Sequence, residues 1–151
     1  MGEMINFQLV VKSIFLLICL FYSQYSFSQS PVLKGTWRPE KYVMQDSEEL
    51  SVTGQIFFSD KNWQVLFFVL NENGDPVRAS AEGGDYLLEQ DNLTFYHLYN
   101  YSGDDRNAYS RLKVFNQETR QEELCRIKLV GEDLTIYFPS GNSMIFKKIS
   151  D

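Results

Sequence analysis

From Gly35 onward apolar residues fall on alternate positions, and aromatic and β-branched side chains dominate them. That is the period of a strand, whose successive side chains point to opposite faces of a sheet. The alternation predicts strands over residues 36–44, 52–59, 63–70, 85–89, 92–101, 109–116, 123–130, 134–138 and 143–149. Between them lie clusters rich in Gly, Asn, Asp, Ser and Pro, at 71–76, 82–84, 102–105 and 140–142, which supply positive φ and local Asx hydrogen bonds for turns. Connections this short join antiparallel neighbours, because a parallel pair needs a crossover of about a dozen residues or more. The chain shows no long amphipathic helical pattern, and a short helix within residues 76–83 is its one helical expectation.

Eight or nine sequentially paired strands would leave two exposed edges, and closing the sheet removes them. The expected fold is therefore all-β, an antiparallel up-and-down β-barrel of eight to nine strands. A sandwich or an open half-barrel fits the same local alternation. The segments 90–96 and 131–137 echo one another, each an acidic turn that enters a Leu-Thr-apolar-Tyr strand, which marks repeated turn chemistry within one domain.

The first thirty residues follow a different logic. Lys12 precedes an apolar run of roughly ten residues, Ser13 to Tyr22, too short to span a bilayer, and Ser26 and Ser28 bracket Phe27 in the small-x-small pattern that precedes signal-peptidase cleavage. Residues 1–28 read as a signal peptide cut before Gln29, with Ser23 an alternative site, and residues 29–151 as the mature domain, secreted or periplasmic and at a membrane only during export. Cleavage would leave Cys125 as the sole mature cysteine, so no internal disulfide is expected; a lone cysteine among strand residues reads as a small buried hydrophobe.

Charge and composition narrow the partners. A formal net charge of −6 disfavours nucleic acid, whose phosphates are met by clustered Lys and Arg. One histidine and one mature cysteine cannot supply the four ligands of a structural zinc site, and no metal or cofactor is expected. The chain lacks a nucleophile elbow, a phosphate-binding glycine loop and a zinc-protease motif, so no catalytic residue is assigned and no enzymatic activity is expected. The carboxylate pairs Glu48-Glu49, Asp104-Asp105 and Glu122-Glu123 read as solvated turn residues.

The most informative strand is 92–101, where alternation puts Leu93, Phe95, His97, Tyr99 and Tyr101 on one face and leaves Thr94, Tyr96, Leu98 and Asn100 toward solvent. His97, the only histidine, could meet a polar group of a ligand there, or simply be hydrogen-bonded in place. Strand 63–70 is apolar on both faces, with Trp63 and Phe67 on one of them. Phe95, His97, Tyr99, Trp63 and Phe67 are the candidate ligand-binding residues. On later strands Arg111 with Lys113, and Arg126 with Lys128, read as exterior charges, with Leu112, Val114, Ile127 and Leu129 as the apolar alternates.

Lys34-Gly35-Thr36-Trp37-Arg38 opens the mature domain with a Gly-x-Trp on the first strand, and in this the chain resembles the lipocalin-like domains of exported bacterial proteins. The likeness continues through 54–58, 84–86, 131–135 and 144–148 and covers most of residues 33–149. It implies a lipocalin-like barrel in which Gly35 and Trp37 are structural, Trp37 plugging the closed end with Lys147 or Lys148 packed over it. The carboxylate clamp of fatty-acid-binding relatives, Arg-x-Tyr, does not occur in the chain, so a fatty acid is not indicated. Together these features point to an exported protein that binds a small, largely apolar ligand in its barrel. The alternative is a structural or protein-interaction domain with a filled barrel, docking through the two-sided apolar strand 62–70.

Overall fold

Each alternating segment carries its apolar side chains on one face, and a single sheet can bury that face only by curling onto itself. The computed structural model describes residues 32–104, 109–116 and 118–150. Its strands are β1 (Gly35–Val43), β2 (Glu49–Leu50), β3 (Val52–Phe58), β4 (Asn62–Leu70), β5 (Pro76–Glu89), β6 (Asn92–Asp104), β7 (Tyr109–Val114), β8 (Gln121–Val130), β9 (Asp133–Tyr137) and β10 (Ser143–Ser150). Neighbours run β10-β9-β8-β6-β5-β4-β3-β1, all antiparallel, and β1 pairs back onto β10. Eight strands thus close an up-and-down barrel, while β2 adds to β1 and β7 to β6. The ladder between residues 36–43 and 143–150 rules out the sandwich and the open half-barrel. The signal-peptide expectation for residues 1–28 lies outside the described residues.

One end of the barrel is solid. Leu33, Trp37, Phe58, Leu93 and Leu134 are each no more than 1% exposed and fill it. Trp37 donates its indole N–H to the Leu33 carbonyl at 2.8 Å, and the Lys148 ammonium lies 5.6 Å from its ring centroid, so the basic cover over the plug is Lys148. Lys147 instead pairs with Asp133 at 3.1 Å. Pro39 is accommodated because β1 has left β3 by that point and its ladder to β10 shifts register between Pro39 and Lys41. The two sequence echoes become matching turns at this end, Gln90 (φ 59°) before β6 and Gly131 (φ 63°) before β9.

Expectations for β5, β6 and β7 are overturned. The helix within 76–83 and the turn at 82–84 are instead the first half of the fourteen-residue strand β5. Its glycines are there for space: a Cβ on Gly83 would strike the Tyr99 hydroxyl, and one on Gly84 the Tyr96 carbonyl. In β6 the register steps from His97 opposite Gly84 to Tyr99 opposite Gly83, so Leu98 is skipped and the inward and outward faces exchange beyond it. Finally, β7 and β8 share one edge of β6 end to end, β8 along residues 92–97 and β7 along 99–104, with the Phe115 amide bonded to the Leu98 carbonyl at the handover. β7 therefore stands above the barrel wall, and Leu112 and Val114 are 68% and 75% exposed instead of buried.

Candidate functional site

Above the solid end the strands enclose a cavity of about 240 Å³. Its floor is Ile56, Trp63, Phe95, Ile136 and Phe146, contributed by β3, β4, β6, β9 and β10. Aromatic rings continue upward: Trp63 and Phe95 lie 4.2 Å apart, and Tyr42 sits 6.4 Å from both Phe67 and Phe138 near the rim. The Tyr42 hydroxyl accepts a hydrogen bond from the Asn142 amide at 2.8 Å, which ties the turn between β9 and β10 to that rim.

One wall is polar. Glu82, His97, Asn100, Gln121 and Glu123 line it, from β5, β6 and β8. His97 is buried, with Nδ1 3.1 Å from Glu82 Oε2 and Nε2 3.4 Å from Glu123 Oε2. The first is a close ion pair; the second is within charge attraction but lacks hydrogen-bond geometry, and Nε2 finds no hydrogen-bond partner among the described residues. Burial pulls the imidazole pKa down, and the two carboxylates more than reverse it, lifting it from 6.5 to about 9. Burial likewise pushes the Glu82 carboxyl up, but His97 and the Ser80 hydroxyl, 2.6 Å away, hold it below its usual value. At neutral pH His97 is thus an imidazolium, a donor and a fixed charge, with no lone pair to take a proton as a general base. Trp63 is also buried, its ring edge-on to His97 at 5.2 Å, and its indole N–H has no acceptor among the described residues.

Of the sequence-derived candidates, Phe95, His97, Trp63 and Phe67 line this cavity, and Tyr99 does not. The skip at Leu98 turns Tyr99 onto the outer surface, over Gly83, and brings Asn100 inward in its place. Tyr101 follows Tyr99 outward and is 41% exposed. Glu122-Glu123 is no turn but part of β8, and Glu123 points inward. That residue was legible, since it shares strand parity with buried Cys125 and Ile127. Glu82 was hidden by the glycines that follow it, and Asn100 by a register skip that alternation cannot reveal. Register also puts Lys113 opposite Asn100 and Arg111 opposite Ser102, on the mouth side of the β7 extension, whereas Arg126 and Lys128 are exterior as expected. Cys125 is buried beside this wall, and burial, with the Glu123 charge, lifts its thiol pKa to about 12.

A closed eight-stranded up-and-down barrel, opened by Gly-x-Trp, plugged at one end and hollow at the other, is lipocalin-like, and that is the class of this fold. No protein-family model and no curated protein matches the chain. Among solved structures it is similar to a lipocalin-like protein from Bacteroides uniformis ATCC 8492, with a TM-score of 0.49 and 18% identity over 78% of this chain and 98% of that one. It is also similar to an uncharacterized protein from Bacteroides eggerthii DSM 20697, with a TM-score of 0.47 and 14% identity over 78% of this chain and all of the other.

Proposed function

We propose that this chain is an exported carrier that binds one small, largely apolar molecule inside its barrel. The observation that carries the reading is the hollow itself: the solid end accounts for the plug, yet about 240 Å³ between the same walls is left unfilled by side chains. Protein interiors are otherwise packed with few voids larger than a water, and each such void forfeits dispersion contacts. A hollow lined by aromatic rings and a few convergent polar groups is the usual form of a small-molecule site. Export is supported by the apolar run and the small-x-small pattern before Gln29.

Native mass spectrometry of the protein purified gently from its host tests both halves. The expected result is a chain beginning at or near Gln29 that carries a co-purifying mass of small-molecule size. A chain that retains its first 28 residues would overturn the export half. An apo mass, from a protein that also binds no apolar probe, would overturn the carrier half and favour the filled-barrel alternative.

A further inference from the structure

The polar wall of the cavity is unbalanced in charge. Glu82 and Glu123 bring two carboxylates against one imidazolium, leaving one formal negative charge in excess. No lysine or arginine is among the described residues that line the cavity. Cations around the mouth and wall lie outside that lining: Lys113 is exposed opposite Asn100, Arg111 is exposed opposite Ser102, Arg78 lies 3.7 Å from Asp104, and Arg120 lies 3.7 Å from Asp85 and over the Tyr96 ring. Exposed charges are screened by solvent, whereas a charge inside the cavity would meet the carboxylates at close range.

Size narrows the choice further. A cavity of about 150 Å³ takes a benzene, so the cavity of about 240 Å³ here has room for one aromatic ring and a short polar tail. The rings of Trp63, Phe67, Phe95 and Phe138 offer such a body aromatic walls.

We infer that the ligand is a small amine: a body the size of one aromatic ring and an ammonium that meets Glu82 and Glu123. This rests on the carrier reading and names the chemistry of that same site. An ammonium neutralises the excess charge. A carboxylate of the same size would bring a third negative charge against the wall and is rejected.

Calorimetric titration of the purified protein at pH 7 with four probes of nearly one size tests this: phenethylamine, phenethyl alcohol, phenylacetate and ethylbenzene. The expected order places phenethylamine about tenfold or more ahead of phenethyl alcohol, with phenylacetate weakest. In Glu123→Gln and Glu82→Gln the amine should lose about tenfold while the alcohol changes by less than about twofold. Phenylacetate or phenethyl alcohol binding as tightly as phenethylamine would overturn the inference, as would an amine lead that survives both variants. Ethylbenzene binding with no amine preference would sink the amine and leave the carrier standing. No binding by any probe would sink both.

Discussion

His97 is the residue whose charge is most closely tied to folding, because its imidazole is buried between two carboxylates that the unfolded chain would scatter. Its pKa rises on folding from 6.5 to about 9, so the folded state holds the proton more tightly. The stabilisation is therefore complete below about pH 6.5 and is lost as the pH climbs through about 9. Glu82 works from the other side: its carboxyl is held below 4.5, so its contribution is present above that pH and disappears as the pH falls through its lowered folded value. The cluster is worth most between about pH 4.5 and 6.5. Urea unfolding at a series of pH values should show stability falling by about 2 to 3 kcal/mol from pH 6.5 to 9.5, and His97→Gln should flatten that slope. A wild-type curve as flat as the variant's would mean that the carboxylates do not hold the proton. Cys125 makes a second residue-scale prediction. Buried, with its thiol pKa lifted to about 12, it should resist a thiol reagent at pH 8 in the native protein and react fully in denaturant. Rapid native labelling at Cys125 would contradict its burial.

Among the elements, β6 decided what the sequence could and could not reveal. Its lower half obeys strict alternation, so Phe95 and His97 were readable as inward, together with Trp63 and Phe67 on β4. The skip at Leu98 has no signature in the residues themselves; it arises where β8 gives way to β7 along the β6 edge, a tertiary event. That exchange removed Tyr99 from the site and supplied Asn100. In β5, paired glycines imitate a turn, although their work is to let Tyr99 and the β6 backbone approach closely. Apolar alternation misled again at β7, because it records which residues share a face and says nothing of whether that face is covered. The difference is measurable. Leu93→Ala, at a fully buried position of β6, should cost about 2 to 5 kcal/mol. Leu112→Ser, on the β7 extension, should change stability by less than about 0.5 kcal/mol. Paired thermal or chemical unfolding would check both, and a large loss for Leu112→Ser would show that the outer face of β7 is covered in solution.

At the scale of the whole molecule, the barrel divides its labour between its ends: the solid end holds the fold together and the hollow end leaves room for a guest. Trp37 joins the first and last strands across the solid end, bonded to Leu33 just before β1 and lying under Lys148 on β10 where the sheet closes. Trp37→Ala should cost about 3 to 5 kcal/mol, a large share of the ~5 to 15 kcal/mol that holds a domain of this size. Phe67 faces the hollow and is only half-buried, so its own truncation leaves no new enclosed void and should cost about 1 to 2 kcal/mol. The two variants should separate in binding as well. Trp37→Ala, measured in the fraction that remains folded, should leave probe affinity within about twofold, because Trp37 does not line the cavity. Phe67→Ala removes one aromatic wall and should weaken phenethylamine by about tenfold. Denaturant unfolding beside calorimetric titration reads both quantities from one preparation of each variant. If Phe67→Ala proved the more destabilising of the two, the stabilising core would have to lie around the cavity, and the hollow would be a structural centre of the barrel as well as its site.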